Sequence, residues 1–300
     1  MGPMVRAGRG LAVLALLFNA ATWGVSWWPF RSLMQLGLHP LWATTLVFAA
    51  AVLVFSFWQP SAWRHLLASP SLWVIALASG ATNAAFNWGV TIGEVARVVL
   101  LFYLMPLWAM LLAWWLLGER PHAGIGLRLL LSVGGAAVVL LGDGDGPARG
   151  LSLADGLGVL GGMTFALNNV MLRRATDRPE SSRALAMFVG GCVTCLGVAA
   201  SGSSGALGLA EPMHWPPEPA LGWLLPVAGL SLLFMLSNLA LQYGASRLSA
   251  NVTAVVMPTE VLFASCSALW IAGEPWSPAL MLGGAMILAA TLLAAWQDRA

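Results

Sequence analysis

The sequence predicts an all-α membrane protein with ten transmembrane helices, arranged as two inverted repeats of five helices each. The first observation behind this prediction is composition: 59% of the 300 residues are hydrophobic, 9% are charged, and the mean hydropathy is +0.81. A soluble domain carries about 25% charged residues, so this chain has too little polar surface to face water on all sides. The second observation is the length of the apolar segments, and the third is an internal repeat.

Ten apolar segments, bounded by charged residues, Pro and Gly, come close to the ~20 residues that a helix needs to cross a bilayer. We number them spans 1 to 10, and they are residues 10–34, 41–58, 71–92, 95–117, 123–142, 152–173, 183–202, 221–244, 250–272 and 278–296. The one long connection is the Pro-rich loop at 203–219. Residues 1–146 are predicted to form the first repeat and residues 147–300 the second.

The repeat is indicated by polar residues that recur in the same order. Asn83 aligns with Asn238, and Gly118-Glu119 aligns with Gly273-Glu274, at one common offset. Each copy has five spans, an odd number, so the second copy enters the membrane upside down. Secondary transporters use this plan, with substrate sites near the midplane between the repeats. Shared hydropathy alone can also produce a weak pseudo-repeat, and that alternative stays open.

The arginines predict the orientation. With a cytoplasmic N-terminus, eleven of the fourteen arginines fall on the cytoplasmic side, and Arg31, Arg97 and Arg149 fall outside. This is the bias that the positive-inside rule describes. We therefore expect a multi-pass protein of the bacterial inner (plasma) membrane with both termini in the cytoplasm. A signal peptide at residues 6–21 is the alternative, but the apolar stretch continues through Phe30 with no small-residue cleavage site.

Composition and motifs also exclude several partners. A net charge of +2 gives no electrostatic basis for nucleic-acid binding. The sequence contains no lysine and hence no G-x-x-x-x-G-K-[ST] loop for ATP. The three cysteines and four histidines form no metal-ligand pattern, so no metal and no cofactor are predicted. The expected partners are the lipid bilayer and a small-molecule substrate.

Several short motifs recur in both copies. The first copy has Pro106, Gly118-Glu119 and Gly134-Gly135, and the second has Pro258, Gly273-Glu274 and Gly283-Gly284. With these motifs the chain resembles the drug/metabolite transporter superfamily, specifically its ten-helix EamA-type exporters, and within them most of all the YddG aromatic amino-acid exporters. Pro258 departs from the pattern, because it stands one helical turn further from Glu274 than Pro106 stands from Glu119. The resemblance implies export of aromatic and other neutral amino acids through a central cavity lined mainly by spans 1, 3, 4, 6, 8 and 9.

Intramembrane carboxamides are the main candidates for binding substrate, because polar side chains inside a membrane usually face the bundle interior. Asn83 with Asn87, and Asn238 with Gln242, are spaced i,i+4 and so share a helix face, at equivalent positions of the two copies. Facing carboxamides could bind the carboxylate and the ammonium of a zwitterion. The alternative is a hydrogen bond between helices, worth ~0.6 kcal/mol on average.

Further candidates come from the other spans. Asn19, either Asn168 or its neighbour Asn169, and the rings of Trp23, Tyr103 and Trp108 could contact an aromatic ligand, although packing is the simpler role for any single Trp. Glu260 is a possible proton-coupling carboxylate or a structural partner of a neighbouring helix, and Pro106 and Pro258 are predicted hinges. Glu119 and Glu274 are expected at cytoplasmic helix ends, paired with Arg128 or Arg247.

These features predict a secondary transporter that exports small metabolites, with amino acids favoured, by alternating access. One alternative is a proton-coupled exporter of cationic drugs, for which Glu260 is the available carboxylate. An alternative of another class is a polytopic membrane enzyme, but such enzymes need convergent acid–base or metal groups. The sequence shows no such cluster, and we expect no catalytic residues.

Overall fold

The computed structural model describes residues 3–118, 125–141, 151–208, 212–245, 247–248, 252, 256–275 and 277–297, and every regular element in these ranges is helical. In chain order the helices are α1 (Pro3–Val25), α2 (Trp27–Gln35), α3 (Pro40–Trp58), α4 (Ala62–Ala68), α5 (Pro70–Ile92), α6 (Val95–Phe102), α7 (Met105–Leu117), α8 (Ile125–Leu141), α9 (Leu153–Arg174), α10 (Glu180–Ser203), α11 (Leu221–Ala245), α12 (Thr259–Ser267) and α13 (Pro278–Gln297). A π-helical turn, Ala268–Ala272, continues α12.

Within these ranges, five helical segments are long and apolar enough to cross a membrane: Gly10–Gln35, Pro40–Trp58, Val95–Leu117, Glu180–Ser203 and Leu221–Leu241. Helix α5 makes a sixth when it is taken together with α4, which meets it at an angle of 98°. Gly126–Leu141, Thr259–Ala272 and Pro278–Leu293 are shorter apolar helices. The chain is therefore an all-helical protein with several membrane-spanning candidates. The count of ten crossings and the inverted repeat stay predictions, and the predicted boundary at 146/147 lies outside the described residues.

Two predicted spans are not continuous helices, and proline is the reason in both. A proline ring clashes with the carbonyl four residues earlier and supplies no N–H for the helix. Pro106 stands four residues after Phe102, where α6 ends, and Pro29 stands four residues after Val25, where α1 ends. The sequence interpretation used Pro106 as a kink but did not foresee the break at Ser26. The two helices on either side of that break still form one candidate span, Gly10–Gln35, close to the predicted 10–34.

Glycines bring pairs of helices into backbone contact. A Cβ on Gly190 of α10 would clash with the backbone of Ala76 on α5, and one on Gly80 of α5 would clash with the Gly190 carbonyl. Helices α8 and α13 pack in the same way, since a Cβ on Gly135 would lie 2.7 Å from the carbonyl oxygen of Gly283. Small residues are what allow such close approach between membrane helices. Spans 5 and 10, which contain these two helices, therefore pack against each other.

Candidate substrate-binding cavity

A cavity of about 240 Å³ lies between spans from both halves of the chain. It is lined by Asn19, Trp23, Ser79, Thr82, Asn83, Phe86, Phe102, Tyr103, Met105, Phe165, Asn168, Met187, Asn238, Leu241, Met257 and Glu260. These residues belong to spans 1, 3, 4, 6, 8 and 9, with Met187 of span 7 in addition. The lining helices are thus the set that the family resemblance implies, plus one.

Two carboxamides at positions that the predicted repeat makes equivalent line this cavity with the same local hydrogen bond. Asn83 Nδ2 donates to the Ser79 carbonyl at 2.9 Å, and Asn238 Nδ2 donates to the Phe234 carbonyl at 3.0 Å. Since a carbonyl oxygen only accepts, these bonds identify the amide nitrogen in each side chain. Each amide nitrogen is therefore held against its own helix, and the amide oxygen is the group left to accept from another partner.

The other two asparagines of the cavity are more deeply buried. Asn19 Nδ2 donates to the carbonyl oxygen of Ser237 at 3.0 Å and to its hydroxyl at 2.8 Å, which joins spans 1 and 8. Asn19 is 1% exposed and Asn168 is 2% exposed, and the Oδ1 atom of each is buried without a hydrogen-bond partner. Asn169 is exposed, so Asn168 is the member of that pair that faces inward.

Aromatic rings form a continuous surface along the cavity. Trp23 contacts Phe86 with ring centroids 6.3 Å apart, Phe86 contacts Phe102 at 5.0 Å, and Phe102 contacts Phe165 at 5.4 Å. Trp23 also packs against Phe234 at 4.5 Å. These are the edge-on and tilted arrangements that aromatic pairs prefer, and an additional ring could pack against the same surface.

Glu260 and Tyr103 connect the two halves of the chain at the cavity. The Tyr103 hydroxyl lies 3.2 Å from Glu260 Oε2 and 3.2 Å from the carbonyl oxygen of Met257. Glu260 is in the first turn of α12, two residues after Pro258 at the N-cap, and is 8% exposed. The contact gives Glu260 a partner on a neighbouring helix, which is the structural one of its two predicted roles. Its coupling role stays a prediction.

The structure thus brings together seven of the predicted site residues, namely Asn19, Trp23, Asn83, Tyr103, Asn168, Asn238 and Glu260. The predicted hinges Pro106 and Pro258 each follow a lining residue in the chain, Met105 and Met257. The side chain of Gln242 lies outside the described residues.

Two predicted residues do not line the cavity. Asn87 is fully buried, and its Nδ2 donates to Thr44 Oγ1 at 3.0 Å, in the contact between spans 3 and 2. It therefore takes the alternative role, a hydrogen bond between helices. Trp108 is half-buried and packs against the apolar cluster around span 4. The prediction placed both at the substrate site, and their positions do not match it.

Sequence reasoning missed several lining residues. Ser79, Thr82 and Phe86 lie on α5 together with Asn83, at the i, i+3, i+4 and i+7 spacing of a single helix face. This spacing is visible in the sequence, and it would have predicted these residues as neighbours of Asn83 on the same helix face. Phe102 and Phe165 carried no such signal, because apolar rings are equally common in the packed interior.

At one end of the molecule, ion pairs join the two halves. Arg31 Nη2 lies 3.0 Å from Glu274 Oε1, and Glu274 Oε2 accepts from the Val95 N–H at 2.9 Å. Arg97 Nε lies 2.7 Å from Asp155 Oδ1, linking spans 4 and 6. This is the end that the arginine count predicts to be external.

The pairing corrects the prediction for Glu274. We expected Glu274 at a cytoplasmic helix end beside Arg128 or Arg247, but it pairs with Arg31 at the opposite end. The reason follows from chain direction: spans 1 and 9 are both odd-numbered, so in a sequentially threaded bundle they cross the membrane in the same sense. Their C-terminal ends, which carry Arg31 and Glu274, must then meet on one side. Glu119 lies outside the described residues.

A second cavity, of about 380 Å³, lies at the same end and is lined by Ile92, Gly93, Glu94, Arg97, Ser152, Leu153, Ala154 and Asp155. Of the two carboxylates in this lining, that of Asp155 already has an ion-pair partner and hydrogen-bond partners. Asp155 pairs with Arg97 and also accepts from the Ser152 N–H at 3.0 Å, while its own N–H donates to Ser152 Oγ at 3.1 Å. This reciprocal capping box fixes the start of α9, and we assign the cluster to the fold.

Comparison with known proteins identifies the first part of the chain. Residues 10–141 match the EamA-like transporter family, a segment that ends with α8 and covers the first five predicted spans. This part of the chain is therefore similar to an EamA-like transporter domain.

The whole chain shares its fold with solved structures. One crystal structure matches over 96% of this chain and 97% of its own, with a TM-score of 0.56 and 18% sequence identity. At this identity the likeness concerns the fold alone. Among curated proteins, no relative matches the sequence.

Proposed function

We propose that the protein is a secondary transporter that exports small neutral metabolites, above all aromatic and other neutral amino acids, by alternating access. The observation that carries this proposal is the cavity, to which both halves of the chain contribute carboxamides and aromatic rings. Binding sites between repeats are the general plan of secondary transporters. The EamA-like match of residues 10–141 supports transport over a membrane enzyme.

The size and lining of the cavity favour a small aromatic substrate. Its volume of about 240 Å³ is below the ~300–1,000 Å³ of sites for drug-sized ligands. An amino acid suits this space better than a bulky cationic drug. The aromatic surface from Trp23 to Phe165 provides apolar contact for a side-chain ring.

Alternating access needs a closed end and pivots, and candidates for both are present. The ion pairs Arg31–Glu274 and Arg97–Asp155 hold one end together, and on the predicted topology that end is external. Pro106 lies at an interruption of its span, and Pro258 lies where α12 begins. Breaks at helix ends can absorb the backbone rotation of a hinge, so we assign the hinge role to these two prolines.

Counterflow in proteoliposomes tests the proposal. Purified protein is reconstituted into vesicles loaded with unlabelled phenylalanine, and entry of labelled phenylalanine is followed. We expect transient accumulation that requires the internal amino acid and saturates with the external concentration. Protein-free vesicles of the same lipids are the control. Entry at the rate of these control vesicles, for phenylalanine and for other neutral amino acids, would contradict the proposed substrate class.

A further inference from the structure

We infer that the cavity holds its substrate by an amino group rather than by a carboxylate, so that primary amines without a carboxylate are ligands of the same site. This inference rests on the proposed function and names the chemical group that the site recognises. It follows from the charge of the lining residues and from the direction of their hydrogen bonds.

The charge of the cavity lining is one-sided. Among the described residues that line the cavity, Glu260 is the only acidic one, and there is no arginine and no histidine. Arg31 and Arg97 are paired at the closed end with Glu274 and Asp155. A substrate carboxylate would therefore enter a mostly apolar space without a cation to pair with, which is costly for a buried charge. A substrate ammonium would have a carboxylate as its partner.

Two carboxamide oxygens at the cavity are buried without a hydrogen-bond donor. Asn19 donates twice to Ser237, at 3.0 and 2.8 Å, so both of its N–H groups are used. Its Oδ1, and that of Asn168, remain buried acceptors without a donor. A buried acceptor that lacks a partner destabilises the structure until something donates to it. A primary ammonium carries three donors and no acceptor, which matches what these oxygens need.

The hydroxyl groups of the lining point their protons away from the cavity. Ser79 Oγ donates to the Met187 carbonyl at 3.4 Å, and Thr82 Oγ1 donates to the Ala78 carbonyl at 2.8 Å. The Tyr103 hydroxyl is engaged by Met257 and Glu260, as described above. The remaining N–H groups, such as that of the Trp23 indole, are neutral. A carboxylate would thus find neither a cation nor a hydroxyl donor ready for it.

Three ligands that share a phenyl ring and a short chain test the inference on the unmodified protein. Phenylalanine carries both groups, phenethylamine only the amine, and 3-phenylpropionate only the carboxylate. Binding is measured by thermal stabilisation in detergent and by competition with labelled phenylalanine in counterflow. We expect phenethylamine to bind about as well as phenylalanine, and 3-phenylpropionate to bind about tenfold more weakly or worse, in line with loss of one paired charged group.

The outcomes separate this inference from the proposed function. If phenylalanine and 3-phenylpropionate bind and phenethylamine does not, the inference is overturned while amino-acid transport stands. If phenethylamine binds but no neutral amino acid is transported, the amino-acid substrate is overturned while the inference stands. If none of the three ligands binds, the inference is overturned, and so is phenylalanine as a substrate.

A matched pair of variants on α9 tests whether the inward carboxamide contributes to amine binding. Asn168→Leu removes the inward carboxamide, whereas Asn169→Leu makes the same change at the exposed neighbouring position. We expect Asn168→Leu to weaken phenethylamine binding by about fivefold or more, and Asn169→Leu to leave it unchanged. Equal affinity in both variants would overturn the role of Asn168. If Asn168→Leu folds poorly, Glu260→Gln serves as the second variant. We expect Glu260→Gln to weaken the binding of phenethylamine more than the binding of 3-phenylpropanol, a neutral ligand with the same ring.

Discussion

Asn83 and Asn87 stand one helical turn apart on α5, yet their surroundings differ. Asn83 bonds within its own helix and lines the cavity, while Asn87 bonds to Thr44 of a neighbouring helix and is fully buried. The first arrangement leaves an amide oxygen for a ligand, and the second uses the amide to hold two spans together. We therefore propose that Asn83 serves binding and that Asn87 serves packing.

A pair of alanine substitutions distinguishes these purposes. Asn87→Ala removes an interhelical hydrogen bond worth ~0.6 kcal/mol on average and leaves a void in a fully buried site. We expect it to lower the thermal unfolding temperature and leave substrate affinity unchanged in the folded fraction. We expect Asn83→Ala to lower substrate affinity and to leave the thermal unfolding temperature unchanged, because its side chain borders a cavity. Thermal unfolding in detergent and ligand titration of the same preparations decide the matter, and weaker binding in Asn87→Ala would contradict the assignment.

At the scale of single residues, the sequence predicted which types of residue line the cavity better than it predicted their positions. The i,i+4 spacing put Asn83 and Asn87 on one face of α5, and that face does contain Asn83 and three further lining residues. Spacing gives no information on where along the helix a cavity stops, since that depends on the neighbouring helices. Along α5 it stops at Phe86, so Asn87 meets Thr44 instead.

Helices α5 and α10 illustrate how elements are held in register. Gly80 and Gly190 face each other where their backbones touch, so the two helices cannot slide or separate without losing a large contact. Helix α5 carries four of the lining residues on another part of its surface. The glycine contact therefore positions one wall of the cavity.

Two glycines on α10 provide a prediction with its own control. A Cβ at Gly190 would clash with the Ala76 backbone, whereas a Cβ at Gly197 has no heavy atom within 4 Å. We expect Gly190→Ala to destabilise the protein by about 1–3 kcal/mol through overpacking. Gly197→Ala should be neutral or slightly stabilising, because alanine favours the helix over glycine. The measurement is thermal unfolding monitored by size-exclusion chromatography in detergent. Similar unfolding temperatures for both variants would contradict the close contact.

The limits of the helices were predictable to within a few residues, but their interruptions were not all foreseen. Predicted span 71–92 is Pro70–Ile92 in the structure, because Ser-Pro and Gly mark its two ends. The break at Ser26 was missed because Pro29 lies among Trp and Phe residues in an apolar run, and apolar periodicity gave no reason to divide it. Helix α11 contains Pro226 without a break, so proline alone does not determine where a span divides.

At the scale of the whole molecule, the two halves meet at the cavity and again at the end that carries the ion pairs. Tyr103–Glu260 joins them at the cavity, and Arg31–Glu274 and Arg97–Asp155 join them at one end. Composition and apolar segment lengths were enough to predict the helical class. They could not predict which charged residues pair, because those residues are far apart in the sequence and meet only in the folded bundle.

Breaking the Arg31–Glu274 pair should change which end of the protein is open. Glu274→Gln removes the charge and keeps an oxygen that can accept from the Val95 N–H. A hydrogen bond to a charged group contributes about 1.5–3 kcal/mol, so its loss should favour forms open at this end by about tenfold. Spin labels at exposed Met34 and Leu153, in a background without the native cysteines, report the distance across this end. We expect a longer and broader distribution.

The control for this experiment is Glu218→Gln, which removes an exposed carboxylate from the loop that precedes α11. This control should leave the distance distribution unchanged. A distribution in Glu274→Gln that coincides with that of the unmodified protein would contradict the role of the ion pair in closure, without bearing on what the cavity binds.

The nearly right angle between α4 and α5 allows an estimate of how deep the cavity lies in the membrane. Helix α4 meets α5 at 98°, so a bilayer surface that follows α4 would be crossed almost perpendicularly by α5, starting at Pro70. At ~1.5 Å per residue, Ser79 and Asn83 would then lie ~14 and ~20 Å below that surface. The hydrocarbon core is ~30 Å thick, which places these groups close to its middle. A solute bound there would be about equally far from the water on either side. The distance from the site to the external surface would be no longer than the distance from the cytoplasmic surface to the site.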